Sequence, residues 1–172
     1  CFPSEPLLSW VGAAMVVLGA VYVAAEDDLR RAAAYGVTMQ TGICVSLVGI
    51  GTPLALAAAE ANAFATILAF LALQLTLGGV LERHGSACVS QLPGVGRTMP
   101  ISALFLLGCG LAVSAAPGLA LFAAHAASLE AAKQWDLRWL WVIIWAAPAM
   151  LFTAFLLRPS LAAYTPSGEV RP

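Results

Sequence analysis

Apolar positions in this chain fall into five long runs separated by short polar stretches, and no run alternates with a period of two. Residues 7–25 are uncharged throughout and, as a helix, long enough to cross roughly 30 Å of hydrocarbon. The charged turn EDDLRR at 26–31 ends that run. A second spans about 32–57, polar at first through Tyr35, Thr38, Gln40 and Thr41 and apolar later, with Thr52-Pro53 expected to break or fray its end. Glu60 opens a third run that continues to about residue 81. A Gly-, Ser- and Pro-rich loop follows at 82–97. The fourth run, 99–128, is interrupted at Pro117-Gly118, and 130–138 is a charged, amphipathic link. The fifth, 139–157, is aromatic around its entrance through Trp135, Trp139, Trp141 and Trp145, the pattern of an interfacial belt. Residues 159–172 predict a polar, extended tail.

In lipid every backbone polar group must be satisfied internally, so only helices and closed barrels span. Apolar runs of this length without alternation argue against a barrel. The expected fold is an all-α, polytopic membrane protein with about five transmembrane helices, one of them broken at Pro117. Composition agrees: 61% of the 172 residues are hydrophobic and 10% charged, against roughly 25% charged in a soluble domain. A net charge of −1 gives no case for nucleic-acid binding. The basic residues divide unevenly: in the five-span arrangement Arg30, Arg31, Arg83, Arg97, Arg158 and Arg171 fall on one side, Lys133 and Arg138 on the other. That asymmetry predicts a cytoplasmic C-terminus and an external N-terminus, with a bacterial inner membrane as the expected location. The sequence opens on Cys1 rather than Met, as expected of a processed chain or part of a longer one.

Soluble-enzyme chemistry finds no foothold. There is no nucleophile elbow, phosphate-cradling loop or zinc spacing, and Gly94-Val95-Gly96 is a loop fragment rather than a dinucleotide fingerprint. No cofactor is expected. Of the four cysteines, Cys44 and Cys109 lie in apolar runs and read as packing residues. His84 and Cys88 share a loop that offers no further clustered ligands, so no metal is expected. Among polar residues at membrane depth, His125 is the leading proton-path candidate, because ionisable groups there are rare and usually face a cavity or partner. Its alternative is a local hydrogen-bonding role near the interface. Glu60 could face a hydrated entrance, but reads more simply as a carboxylate favoured by a helix N-terminus. Gln40, Thr41, Thr66, Gln74 and Thr76 could line a wet path or hydrogen-bond between helices, the second being the expected role, and Gly78-Gly79 and 108–110 are expected close-packing points. The EDDLRR turn reads as a solvated loop with weak internal ion pairs.

Residues 28–43, DLRRAAAYGVTMQTGI, resemble the "DLKRLLAYSSISQLG" segment of antiporter-like, proton-translocating membrane subunits. Those occur in complex I, multisubunit sodium/proton antiporters and membrane-bound hydrogenases. The matching positions are Asp28, Leu29, Arg30, Arg31, Ala34, Tyr35, Gln40 and Gly42. NAFATILAF at 62–70 is similar to "HALFKALLF", GVGRTMPISA at 94–103 to "GLGRRMPLTA", and AAPGLALFAAH at 115–125 stands where the family has "GLPPLNGFVSK". The resemblance covers nearly the whole chain and corresponds to the C-terminal half of a typical member. It implies a membrane subunit that works among other membrane subunits. It also implies a relay His and Lys on the third span, where this sequence has Asn62 and Thr66, neither of which titrates. His125 stands at the charged position after the helix broken at Pro117. The family's earlier relay glutamate and lysine belong to its N-terminal half, outside this sequence. The resemblance therefore implies a degenerate relative with a structural or accessory role, and as the alternative an active proton- or cation-path subunit.

Overall fold

A computed structural model describes residues 6–92, 95–133 and 138–164. They form eight α-helices: α1 (Pro6–Ala25), α2 (Leu29–Ile50), α3 (Pro53–His84), the short α4 (Val95–Thr98), α5 (Pro100–Val113), α6 (Ala120–Lys133), α7 (Arg138–Phe152) and α8 (Arg158–Tyr164). A 3-10 turn (Val89–Gln91) precedes α4, and a π-turn (Thr153–Leu157) joins α7 to α8. Among the described residues there is no strand, only an isolated bridge between Asp28 and Cys88. Four helical stretches are long and apolar enough to cross a membrane: Pro6–Ala25, Leu29–Ile50, Pro53–His84 and Val142–Ala162, with Pro100–Val113 as a shorter apolar helix. The chain is an all-α integral membrane protein. Large apolar side chains such as Leu75, Ile101 and Leu104 stay exposed, as lipid-facing positions must be.

The helix ends follow local chemistry. Asp28 caps α2 by accepting from the Arg30 N–H at 2.9 Å. Gly51 ends α2 in the left-handed conformation (φ 71°), and its N–H donates to the Leu47 carbonyl. Thr52 then caps α3 and Pro53 occupies its first turn. Pro53 therefore opens the third helix rather than fraying the second. Glu60 consequently lies well inside α3, past its second turn, on an exposed face, and the expectation of a carboxylate at a helix N-terminus is corrected. At 32 residues, α3 is about 48 Å long, well beyond the hydrocarbon thickness.

The fourth run is two helices. Between α5 and α6 the chain turns through Ala115 (φ 53°) and Gly118 (φ 92°), and the Ala116 N–H bonds the Leu111 carbonyl at 3.0 Å. Exposed Pro117 sits at the centre of this break, since its ring prevents a helix from continuing. The expected extended tail is corrected in its first part: 159–164 are helical, held by Arg158. That side chain donates to the carbonyls of Ala24 and Glu26 (3.3 and 3.1 Å) and lies 3.9 Å from Asp27. Residues 165–172 lie outside the described residues.

The EDDLRR turn is likewise more than a solvated loop. Besides Arg158, Asp27 takes the side chain and N–H of Ser90 (2.5 and 3.3 Å). Its backbone carbonyl accepts from Val89, and the Leu29 N–H donates to Ala87. One acidic turn thus ties the 87–90 loop and α8 to the α1–α2 corner. Arg30 is exposed and Arg31 forms only a long, exposed contact with Asp28 at 3.9 Å. Tyr35 stacks on Tyr22 at 4.9 Å.

Of the expected close-packing glycines, Gly110 makes such a contact and Gly78, Gly79 and Gly108 do not. A Cβ at Gly78, Gly79 or Gly108 would meet nothing within 4 Å, whereas one at Gly12 would lie 2.5 Å from the Gly42 carbonyl oxygen and one at Gly42 would lie 2.7 Å from that of Gly12. Gly110 does pack closely, its Cβ position being 2.5 Å from the Phe155 carbonyl oxygen. Of the aromatic belt, Trp139 stacks on Trp10 at 4.1 Å and Trp145 is exposed, while Trp135 lies outside the described residues.

Candidate functional site

The chemically unusual region is where α2, α3 and α6 meet. Helices α2 and α3 run antiparallel, and two contacts set their register. Gly36 backs onto the Phe70 ring, and the Asn62 amide donates to Cys44 Sγ at 3.4 Å. Gln40 is one turn from both Gly36 and Cys44, and Thr66 is one turn from both Phe70 and Asn62, so Gln40 and Thr66 stand at the same level. Helix α6 packs on α3 beside them: Ala65 shares a buried apolar cluster with Leu121, Ala124 and Ala115. His125 and Thr66 each follow a member of that cluster in sequence.

Gln40, Asn62, Thr66 and His125 are all buried. Both amide atoms of Gln40, Asn62 Oδ1, Thr66 Oγ1 and both ring nitrogens of His125 lack a hydrogen-bond partner among the described residues. Thr66 stands apart from its kind. Thr38, Thr41, Thr76 and Thr153 each donate to the carbonyl four residues back in their own helix, and Ser128 does the same on α6. The expectation of interhelical hydrogen bonds is therefore corrected. Thr41 bonds within its helix and Gln40 and Thr66 bond to nothing described. Only Thr76 adds a cross-helix contact, 3.5 Å to Cys109 Sγ.

His125 also lines a cavity of about 370 Å³ between α6 and α7, together with Ala115, Phe122, Trp145, Pro148 and Ala149. It is the only buried side chain of the Asp, Glu, Lys, Arg or His type among the described residues. Glu60 is exposed while Asn62, two residues on, is buried. Two residues turn a helix through about 200°, so Glu60 lies on the opposite face of α3 and is not brought to His125. Asp28, Arg30 and Arg31 lie at the start of α2, about 14 Å or more from Gln40 along the helix, and Tyr35 lies five residues before Gln40. Pro117 lies in the break just before α6. His84 bonds the Gln91 carbonyl at 2.7 Å, and no group of three His, Cys, Asp or Glu able to hold a metal occurs among the described residues.

Sequence reading placed Asn62, Thr66 and His125 in this region through the resemblance. It grouped Gln40 with Thr66 as polar residues at membrane depth, without setting the two at one level on neighbouring helices. The signal lay in the antiparallel register, which only the glycine at 36 and the cysteine at 44 reveal.

Known proteins share this architecture. Residues 4–151 match the family described as NADH:quinone oxidoreductase/Mrp antiporter, transmembrane. The chain is 32% identical over 142 residues to NADH-quinone oxidoreductase subunit N 2 of Acidobacterium capsulatum, covering 80% of this chain and 28% of that protein. It is 26% identical over 164 residues to NADH-ubiquinone oxidoreductase chain 5 of Paracentrotus lividus, covering 94% of this chain and 25% of that one. Its fold superposes on a chain of the Mrp complex from Dietzia sp. DQ12-45-1b with a TM-score of 0.79 at 26% identity, over 91% of this chain and 20% of that chain. The chain thus spans about a quarter of the length of these relatives. These matches show that the chain belongs to the NADH:quinone oxidoreductase/Mrp antiporter transmembrane family.

Proposed function

We propose that this chain acts as a membrane subunit of a larger energy-transducing complex and that its central layer is structural or accessory rather than a proton relay. One observation carries the reading. The two positions on α3 where the family resemblance expects titratable groups hold Asn62 and Thr66, and His125 is left as the single buried ionisable side chain among the described residues, on a cavity whose lining holds no other acidic or basic group. A relay needs a succession of groups that can gain and lose a proton, and one imidazole does not supply it. In this reading His125→Ala leaves proton translocation by the host complex within about twofold of wild type, a change of roughly 0.4 kcal/mol or less in barrier. Proton uptake in proteoliposomes at matched subunit content measures it, and a tenfold loss with assembly intact overturns it.

A second reading has its own support. Three buried polar side chains without a partner among the described residues, Gln40, Thr66 and His125, and the open carbonyl oxygen of Asn62 are costly unless water reaches them. A hydrated layer running from Gln40 to His125 would serve an active proton-path subunit, and the same measurement separates the two.

For orientation we propose a bacterial inner membrane with the C-terminus in the cytoplasm, from the excess of basic residues at the ends of α1, α3 and α8. A cysteine at exposed Gln91 (Gln91→Cys) is then labelled by an impermeant maleimide in inverted vesicles and not in right-side-out ones. The reverse pattern overturns the orientation.

A further inference from the structure

A cleft opens between α3 and α5 near the loop that connects them. The cleft between them, about 540 Å³, is lined by Thr76, Gly79, Glu82 and Arg83 from α3 and by Ile101 and Ser102 from α5. Through Phe105, which borders both, it adjoins an apolar groove of about 890 Å³ that follows α5 past Leu104, Gly108 and Leu111. Gly79 and Gly108 have open space where a side chain would stand. The helices therefore leave a groove at these glycines rather than a contact.

The polar end of this groove carries two unspent charges. Glu82 and Arg83 are both exposed, and neither forms an ion pair or hydrogen bond among the described residues. The first turn of α5 also faces the cleft: Met99 gives no side-chain cap and Pro100 has no N–H, so the N–H groups of Ile101 and Ser102 lack intrahelical acceptors. A cation beside a helix N-terminus favours a phosphate, and a carboxylate beside them favours an ammonium. Below this mouth, α5 from Ile101 to Ala112 extends about 16 Å, close to one leaflet's share of a hydrocarbon core of roughly 30 Å.

We propose that the α3–α5 cleft is a binding site for one phospholipid, phosphatidylethanolamine. Arg83 and the α5 N-terminus take the phosphate, Glu82 accepts a hydrogen bond from the ammonium, and one acyl chain lies along Gly108 to Ala112. The choice of headgroup follows from the pairing of opposite charges at the mouth. Phosphatidylcholine carries no N–H to donate to Glu82, and phosphatidylglycerol brings a net negative charge against it with no cation in return.

Native mass spectrometry of the intact protein tests this, with the three lipids added separately at matched acyl chains. Phosphatidylethanolamine is expected to be retained about tenfold over phosphatidylcholine, the discrimination of one charge-assisted hydrogen bond. Glu82→Gln brings the two to parity, and Arg83→Gln lowers retention of every phospholipid. Gly108→Leu fills the groove and abolishes retention, and the open space at that position lets the variant fold with an unchanged melting midpoint. Equal retention of all three lipids by wild type, or full retention by Gly108→Leu, overturns the site. So does a disulfide formed in native membranes between Gly108→Cys and a helix of another subunit, because that helix then occupies the groove.

Discussion

Two helix interfaces in this molecule are built on opposite terms. Between α1 and α2, Gly12 and Gly42 bring the backbones into contact, and Ser9 and Ser46 exchange hydrogen bonds: each hydroxyl donates to the other's carbonyl, at 3.1 and 3.3 Å. Every polar side chain buried there is satisfied. Between α3, α2 and α6 the buried residues are larger and more polar, and Gln40, Thr66 and His125 find no partner among the described residues. Lipid tails are as apolar as leucine, so helices in a bilayer associate through close packing and hydrogen bonds rather than hydrophobic burial. The first interface uses both devices. The second uses neither fully, and it leaves buried polar atoms without a partner among the described residues.

The comparison breaks first at Gly12. A leucine there would drive its Cβ to 2.5 Å from the Gly42 carbonyl oxygen and from the Ser46 nitrogen, both backbone atoms that cannot turn aside. Gly12→Leu is expected to destabilise the α1–α2 pair by about 3 kcal/mol or more, seen as a collapsed melting midpoint or as loss of folded protein from detergent extracts. Gly78→Leu is the control: nothing stands within 4 Å of its Cβ position, so its effect should stay within about 0.5 kcal/mol. Equal effects at the two glycines would show that close approach is not what holds α1 to α2.

That pair also shows how far the sequence could be read. Span lengths and the all-α class follow from the apolar runs, because a bilayer imposes a length that composition alone can meet. The break at Pro117 was legible for the same kind of reason, a ring that cannot continue a helix. Thr52-Pro53 was ambiguous: a threonine before a proline ends one helix or caps the next, and here Gly51 does the ending, so Glu60 moved from a helix start to an exposed face inside α3. Gly78-Gly79 looked like a contact by being paired, yet isolated Gly12 and Gly42 make it, since the face a residue presents depends on neighbours the sequence does not name. Aspartate 27 gave no sign of holding Ser90 and Arg158, partners that lie 63 and 131 positions away along the chain. Asn62, Thr66 and His125 were found by resemblance. Gln40 joins them only through the register that Gly36 and Cys44 impose.

Gln40 offers the smaller and sharper test of the second interface. Its amide is fully buried and neither its nitrogen nor its oxygen has a partner among the described residues. Methionine has nearly the same length and volume, so Gln40→Met changes the chemistry with little change in shape. In a dry layer the substitution removes an unsatisfied amide. The expected gain is about 1 kcal/mol, at the low end of the desolvation cost of such a group, because the unfolded chain in a bilayer also finds partners for a polar side chain. The structural reading of the site therefore predicts a raised melting midpoint in detergent and unchanged proton uptake in proteoliposomes. A hydrated layer predicts the reverse: the amide is bonded to water, its removal strands that water beside Thr66 and His125, and both stability and uptake fall. A melting midpoint lowered by the equivalent of about 1 kcal/mol would thus move the α2–α3–α6 layer from the packing of this protein to its transport path.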